Sequence, residues 1–181
     1  MPTLQERDGM DPLDRLVSWQ AIYDLSCDYM RAQDRLDPVL HRSVFHDDAT
    51  TDYGAGWQGD AEGFVAFAQG VLAPHKANHH MIGQMRIDFE SETLAFGEVY
   101  YQAHHRIMGD DGAEYDLFVA GRYVDRYERR QGVWKIAHRT ELADWIRNEP
   151  AADLEGGAMM LPWGARSPHD LSCRREEMRV R

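Results

Sequence analysis

The chain has 181 residues, of which 43% are hydrophobic and 28% charged, a size and composition typical of one globular domain with a substantial core. Its formal net charge of −11 argues against nucleic acid or an anionic membrane as a partner, because both need a basic surface. The two cysteines, Cys27 and Cys173, are too few for a disulfide framework and too far apart for a metal-binding motif.

The start of the chain and its hydropathy indicate the compartment. Residues 1–15 are polar and acidic and lack the apolar core of a signal peptide. No apolar run approaches the ~18 residues of a membrane-spanning helix. We therefore expect a reduced, cytoplasmic setting and no membrane partner.

A first helix is predicted from Asp11, which can cap it, to the break at Asp37-Pro38. One face carries residues at helical spacing: Leu16, Gln20, Tyr23, Cys27, Met30 and Asp34, widened by Trp19, Ile22, Ser26 and Tyr29. Asp34 stands out because an unpaired carboxylate is rarely buried. It is either solvated at the helix end or held at the mouth of a cavity, where a histidine would be its natural partner.

A short helix over 39–45 and a strand over 49–53 are predicted next. A glycine-rich loop then leads to a third helix over 60–72, which Asp60 can cap. Tyr53 and Trp57 bring large amphipathic side chains to this region. Each is either packed in the core with its polar atom hydrogen-bonded or part of a pocket wall.

The segment 78–89 is predicted to be a strand that opens with two histidines. Strict alternation puts Met81, Met85, Ile87 and Phe89 on one face, with His80 and Ile82 on the other. Two interpretations of His80 stay open: a strand-end or core histidine, or a general base in a pocket, since imidazole titrates near neutral pH. His79 and His80 face opposite sides of the strand, so they are poorly placed to share a metal ion.

Three long strands are predicted in the second half, over 93–108, 115–129 and 133–145. The first two are joined by a hairpin turn at 109–112, and a bulge is expected near Gly121. On the strand 93–108, His105 shares the less polar face, while His104 lies with the charged residues. Helices followed by an antiparallel meander predict an α+β fold, with helices packed on one curved sheet.

The last part of the chain differs in composition. It combines glycine and proline with the apolar residues Met159, Met160, Leu161 and Trp163 and with a basic run over 174–181. We interpret residues 1–149 as the domain. Residues 150–181 are then an extension that packs on the domain or on a neighbouring subunit and ends in a solvated tail.

The order of these elements, together with several short segments, resembles a known family. The segments are Arg31–Asp37 around Asp34, Asp52-Tyr53-Gly54, His79–Gly83, Gly121–Asp125 and Gly132–Ile136. Over residues 10 to 146 the chain resembles the SnoaL-like branch of the nuclear transport factor 2-like superfamily, which includes scytalone dehydratase, bile acid 7-alpha dehydratase and hexachlorocyclohexane dehydrochlorinase. The resemblance implies a cone-shaped curved antiparallel sheet (cystatin-like), closed by three N-terminal helices around a pocket and often assembled as a homotrimer.

The same resemblance assigns catalytic positions. It places Asp34 at the pocket aspartate of the family, His80 at its catalytic histidine, Tyr53 at a tyrosine that hydrogen-bonds the substrate and His105 at a second pocket histidine. The chain departs from scytalone dehydratase at Gln33, where that enzyme has a tyrosine.

The substrate contacts are less sharply assigned. The polar residue of the family's fourth strand aligns with Arg122 or Tyr123. Arg139 resembles an arginine of the bile acid enzyme, although His138 is an alternative for the inward position. Candidate pocket walls are Trp57, Tyr101 and Phe118, for each of which core packing is the commoner fate.

These residues predict a cofactor-independent lyase, with no metal, acting on a small, largely apolar cyclic or aromatic substrate that carries a hydroxyl. A histidine hydrogen-bonded to a buried aspartate is oriented, and its cation is stabilised, so it can abstract a proton. Tyr53 or His105 would assist the leaving group. The alternatives are an isomerase or hydrolase using the same pocket, or a non-catalytic binding module that resembles the small subunit of ring-hydroxylating dioxygenases.

Overall fold

The computed structural model describes residues 9–152 and 162–180. Within these ranges the helices are α1 (Pro12–Arg35), α2 (Pro38–Ser43) and α3 (Ala61–Leu72). The strands are β1 (Phe45–Asp52), β2 (Gln58–Asp60), β3 (Ala77–Phe89), β4 (Leu94–Met108), β5 (Glu114–Arg130) and β6 (Val133–Pro150). Short 3₁₀ turns follow at Leu171–Cys173 and Arg175–Val180. None of the described helices is long and apolar enough to cross a membrane.

The strands of the described ranges form one curved, unclosed sheet in the order β2-β1-β6-β5-β4-β3. All neighbouring pairs are antiparallel except β1 and β6, which run parallel. The α+β class and the curved sheet with three helices are therefore confirmed, while the expected all-antiparallel pairing is wrong at one position. The core lies between the inner face of the sheet and the helices, and it includes Tyr29, Phe45 and Phe64.

Helix α1 begins where the sequence indicates, because the side chain of Asp11 accepts a hydrogen bond from the backbone N–H of Leu13 at 2.9 Å. Its buried face matches only part of the predicted stripe. Leu16 is 63% exposed, and the inward residues include Ile22, Ser26 and Tyr29. Ser18 and Ser26 are buried on this face, and a count of apolar residues does not detect them.

Strand β3 does not alternate strictly, and the predicted grouping of Met81 with Met85 and Ile87 is wrong. Ile82 pairs with Tyr101 and Met85 pairs with Val99, so Gly83 and Gln84 together face one residue of β4. This bulge reverses the alternation. Met81 is consequently 53% exposed, while His80 lies on the same inward face as Ile87.

A second change of register occurs on β6. Tyr127 pairs with Ile136, whereas Arg126 pairs with His138, so Ala137 is an extra residue. Ile136 and Ala137 are both buried in succession, and the inward face continues at Arg139. The bulge therefore places Arg139, and not His138, at the inward position, and His138 faces outward.

The bulge expected near Gly121 is present, and its extra residue lies on the partner strand. Ala120 pairs with Trp145 and Gly121 pairs with Ala143, so Asp144 is inserted in β6. A Cβ at Gly121 would lie 2.0 Å from the carbonyl oxygen of Leu142. Only glycine allows the two strands to approach this closely.

The C-terminal segment after residue 161 lies against the end of α1. The backbone N–H of Ser167 donates to the carbonyl of Arg35 at 2.8 Å, and Arg31 donates to the hydroxyl of Ser172 at 2.9 Å. Arg166 donates to the carbonyl of Asp34 and, at 3.1 Å, to the carbonyl of His75. The tail residues Met159, Met160 and Leu161 lie outside the described residues.

Candidate functional site

The structure brings Asp34 and His80 into direct contact. Asp34 lies in the last turn of α1, and His80 lies near the start of β3. His80 Nδ1 is 2.7 Å from Asp34 Oδ1, and the backbone N–H of His80 donates to both carboxylate oxygens at 3.1 Å. With Asp34 ionised, Nδ1 carries the hydrogen in this contact. The nitrogen that remains available for chemistry is Nε2.

A second group of hydrogen-bonded residues adjoins the first. The amide oxygen of Asn78 is 2.8 Å from Nδ1 of both His75 and His105, and the amide nitrogen donates to the carbonyl of Leu72. An amide oxygen only accepts, so both Nδ1 atoms carry hydrogens in this network. Burial, reinforced by the neighbouring His80, lowers the pKa of His105 to about 3. His105 is therefore neutral, and its Nε2 is a hydrogen-bond acceptor.

Of these side chains, His80 and His105 line a cavity of about 210 Å³ between the sheet and the helices. The rings of His80 and His105 pack edge to face, with centroids 5.1 Å apart. The wall is otherwise largely apolar, and it consists of Gln33, Tyr53, Phe64, Phe67, Ala68, Val71, Leu72, His80, Tyr101, Ala103, His105, Val119, Tyr123 and Glu141. A cavity of this size fits a small cyclic or aromatic molecule and is smaller than a typical drug pocket.

Tyr53 and Tyr101, both predicted from the sequence, contribute hydroxyl groups to this region. The hydroxyl oxygens of Tyr53 and Tyr29 are 2.6 Å apart. Burial raises the pKa of Tyr53 well above its ordinary value, so the phenol stays protonated at neutral pH. Tyr101 donates its hydroxyl hydrogen to Glu141.

Two polar cavity residues were not predicted. Gln33 was noted only as a departure from scytalone dehydratase, yet it is buried in the cavity wall. Glu141 was not considered, although it stands two residues after Arg139 on the same face of β6. The alternation of that strand would have identified Glu141 if the inward position had been assigned to Arg139 rather than left open with His138.

Arg139 itself does not contact the cavity, and its assignment as a substrate contact needs correction. Its Nε and Nη2 donate to the carboxylate of Asp125 at 2.8 and 2.7 Å. The guanidinium carbon lies 4.2 Å from the ring centroid of Tyr29 and 4.1 Å from that of Tyr123. A fully buried cation requires a charged partner, and this one is enclosed behind the cavity wall.

Phe118 and Arg122 also lie away from the cavity. On β5 the inward positions are Val119 and Tyr123, so Phe118 and Arg122 project from the other face of the sheet. There Arg122 forms ion pairs with Glu98 and Asp144. Of the two alternatives for this strand, only Tyr123 lines the cavity.

Trp57 supports the wall from behind. Its Nε1 donates to the hydroxyl of Thr51 at 3.0 Å, and its ring stacks on Phe67 with centroids 5.2 Å apart. Phe67 is a wall residue, so Trp57 acts on the cavity through it. Within the described ranges, no group of three or more His, Cys, Asp or Glu side chains is arranged to hold a metal ion.

The chain is similar in sequence to a known domain family and to characterised proteins. Residues 14–140 match the model of the SnoaL-like domain. The chain is 32% identical over 142 residues to a gamma-hexachlorocyclohexane dehydrochlorinase of Sphingobium indicum, and the match covers 76% of this chain and 87% of that protein.

Solved structures of other proteins have a similar fold. The crystal structure of a type 2 hexachlorocyclohexane dehydrochlorinase matches with a TM-score of 0.72 at 25% identity, covering 81% of this chain and 99% of that chain. A protein of Nostoc punctiforme with a cystatin-like fold matches with a TM-score of 0.57 at 17% identity, covering 75% and 94%. The second match concerns the fold alone.

Proposed function

This chain belongs to the SnoaL-like domain family, and we propose that it is a cofactor-independent lyase in which His80 is the general base and Asp34 orients it. The dehydrochlorinase relatives support an elimination reaction, because they remove hydrogen and chloride from a ring. The observation that carries the proposal is the Asp34–His80 contact at the wall of an apolar cavity.

The geometry supports the following reaction. Nε2 of His80 takes a proton from the carbon next to the one that bears the leaving group. The electrons of the broken C–H bond form the double bond, and the leaving group departs with its bonding pair. Asp34 stabilises the imidazolium that results and keeps the ring in the required tautomer.

The remaining cavity residues position the substrate. Phe64, Val71 and Val119 offer apolar contacts to a cyclic or aromatic skeleton. The protonated phenol of Tyr53 can donate a hydrogen bond, and the neutral His105 can accept one from a substrate hydroxyl. His105 is thus better suited to orienting the substrate than to donating a proton from Nε2.

The proposal is tested with an elimination that needs little more than a base. 5-Nitrobenzisoxazole is small and aromatic, and loss of its ring proton opens the ring to a coloured phenolate. We expect His80→Ala and Asp34→Asn to lower its turnover by about 10²–10⁴-fold, the range of general-base contributions. His79→Ala is the matched control, since His79 is the exposed neighbour on the same strand, and it should keep wild-type activity.

Full activity in both dyad variants would show that the general-base proposal is wrong. A panel of alicyclic and aromatic alcohols and chlorides, screened first by thermal shift and then for turnover, addresses the substrate. The product mass separates the alternatives. Elimination lowers the mass by HCl or H2O, isomerisation leaves the mass unchanged, hydrolysis of a chloride replaces chlorine by a hydroxyl group, and a binding module gives a thermal shift without a product.

We also propose that the protein assembles as a homotrimer through the second half of β6. Trp145 is 72% exposed and Leu142 lies exposed on the same face of the sheet, whereas Ile146, 68% exposed, projects from the other face. Neighbouring large apolar side chains at the surface are typical of a contact with another protein chain. The number of three copies comes from the resemblance to the family.

A further inference from the structure

Glu141 is a second carboxyl group at the cavity, apart from the Asp34–His80 pair. It lines the same cavity as His80 and His105 but lies on β6, whereas the two histidines lie on β3 and β4. The hydroxyl of Tyr101 donates to its Oε1. The other oxygen, Oε2, is then the one able to carry a proton.

The surroundings of Glu141 shift its carboxyl group toward the protonated form. Burial raises its pKa, although the hydrogen bond from Tyr101 and the positive charges of Arg139 and of protonated His80 act in the opposite direction. The charge of Arg139 is largely balanced by Asp125, to which it is hydrogen-bonded twice. Burial and the neighbouring Glu141 raise the pKa of Tyr101, so the phenol keeps its hydrogen and remains the donor.

The other polar residues at the cavity are less suited to protonating a leaving group. His105 is neutral, and its only ring hydrogen is on Nδ1, which is bonded to Asn78. The hydroxyl of Tyr53 is paired with that of Tyr29. Glu141 is the carboxyl group among the described cavity-lining residues, and its raised pKa makes it better suited to act as the acid.

We propose that Glu141, held by Tyr101, protonates the leaving group, and that the substrate is consequently an alcohol that loses water. This inference rests on the proposed lyase function and extends it from the base to the acid and the substrate class. A halide departs as a stable anion and needs no proton, whereas hydroxide is a poor leaving group unless it is protonated as the bond breaks. An acid opposite the base is thus of use to a dehydratase and of little use to a dehydrochlorinase.

The elimination balances with the residues present. His80 Nε2 takes the proton from the carbon next to the one that bears the hydroxyl, and the C–H electron pair becomes the double bond. The C–O bond breaks, its electron pair stays on oxygen, and that oxygen takes the proton of Glu141 Oε2. The products are an alkene, water, an imidazolium and a carboxylate. Transfer of the imidazolium proton to Glu141 through the released water restores the starting state without any other reactant.

The first test measures the proton directly and needs no substrate. The C=O stretching band of a protonated buried carboxyl is recorded in the infrared difference spectrum between wild type and Glu141→Gln. We expect this band at about pH 6, well above the ordinary glutamate pKa of about 4.3. Glu90→Gln, the same change at an exposed turn, should give no such band. An ionised Glu141 at that pH would overturn the proposal.

The second test compares two leaving groups. Loss of water from 3-hydroxycyclohexanone is assisted by an acid that protonates the departing hydroxyl, whereas 5-nitrobenzisoxazole releases a stabilised phenolate and gains little from an acid. We expect Glu141→Gln to slow the first reaction by about 10²–10⁴-fold relative to the second. Glu141→Asp, which keeps a carboxyl group, should recover part of the loss, and Glu90→Gln should alter neither reaction.

The outcomes separate this inference from the proposed function. Equal loss of both reactions in Glu141→Gln, or loss of neither, overturns the acid role. Turnover of 5-nitrobenzisoxazole alone by the wild type also overturns it while leaving the general base intact. Absence of both reactions in the wild type counts against the lyase itself. Thermal unfolding of each variant shows whether a loss of activity reflects a loss of fold.

Discussion

Asp125 accepts two hydrogen bonds from Arg139 in an ion pair whose side chains are 0% and 1% exposed, respectively. The guanidinium lies between the rings of Tyr29 and Tyr123, so it joins α1, β5 and β6. Its Nη1 has no hydrogen-bond partner among the described residues. The stability of a site enclosed this completely depends on the pairing of its two opposite charges.

We expect Asp125→Asn to destabilise the protein strongly. The substitution keeps the shape of the side chain but leaves a buried cation without its counter-ion. The expected loss in the free energy of unfolding is about 3–5 kcal/mol. Urea denaturation at neutral pH measures it. Asp48→Asn is the control, because Asp48 pairs with Arg130 at the surface, and exposed pairs contribute about 0–1 kcal/mol. Similar losses in the two variants would contradict the prediction.

Arg166 is predicted to position the dyad without touching the cavity. It joins the carbonyls of Asp34 and His75, and so it connects the end of α1 to the segment that leads into β3. Arg166→Met should lower kcat while leaving KM nearly unchanged, because the base loses its alignment but the cavity wall stays intact.

The matched control for Arg166 is Arg174→Met, a tail arginine that pairs with the exposed Glu177. Because Arg166 is partly exposed, its removal should cost only about 1 kcal/mol of the free energy of unfolding. A parallel loss of kcat and of fold stability in Arg166→Met would contradict a positioning role. Kinetics with 5-nitrobenzisoxazole and urea denaturation together give the answer.

Two buried histidines should make the stability fall in acid. Burial, as the largest cause, lowers the pKa of both His41 and His105 to about 3. The unfolded chain therefore binds protons that the folded chain does not between pH 6.5 and about 3. The stabilisation is complete above that window and is lost as the pH falls through it, by at most about 1.4 kcal/mol per pH unit for each histidine.

This pH dependence is checked by urea denaturation of wild type and His41→Phe at several pH values from neutral to mildly acidic. His41 lies among Tyr29, Phe45 and Phe64, so a phenylalanine ring suits the site. The variant should show a shallower fall of the free energy of unfolding with falling pH. Identical slopes in the two proteins would show that His41 does not resist protonation in the fold.

The proposed trimer is tested through Trp145. Sedimentation should give the wild type three times the chain mass of 20.9 kDa. Trp145→Asp places a charge in the proposed contact and should shift the protein to smaller species. Trp163→Asp is the control, since Trp163 is similarly exposed but belongs to the C-terminal segment and not to β6. A monomeric wild type would contradict the assembly proposal.

The sequence predicted best those features that depend on residues close together in the chain. The caps Asp11 and Asp60 are used as expected, and the face of β4 that carries His105 is the inward one. Contacts between segments far apart in the sequence were harder to predict. The resemblance pointed to Asp34 and His80, which are 46 positions apart, and the structure brings them together. Their catalytic role stays a prediction.

The errors have a common physical cause. Alternation along a strand assigns faces only until a bulge intervenes, and nothing in the local residue pattern identified the bulges at Gly83-Gln84 or Ala137. The inward position of Arg139 depends on Asp125, a residue of another strand. Glu141 lies on the same face of β6 as Arg139. Without knowledge of the contact between Arg139 and Asp125, neither residue could be assigned to the inward face from the sequence. The contact of Arg166 with Asp34 likewise joins segments far apart in sequence.

The two bulges have a consequence for how this protein can vary. Each one separates the part of a strand that fills the core from the part that faces the cavity, with Ile87 and His80 on β3 and Ile136 and Glu141 on β6. Deleting one residue at either bulge would restore strict alternation, so the core residues or the cavity residues would have to turn outward. The extra residues thus join two segments of one strand that differ in register.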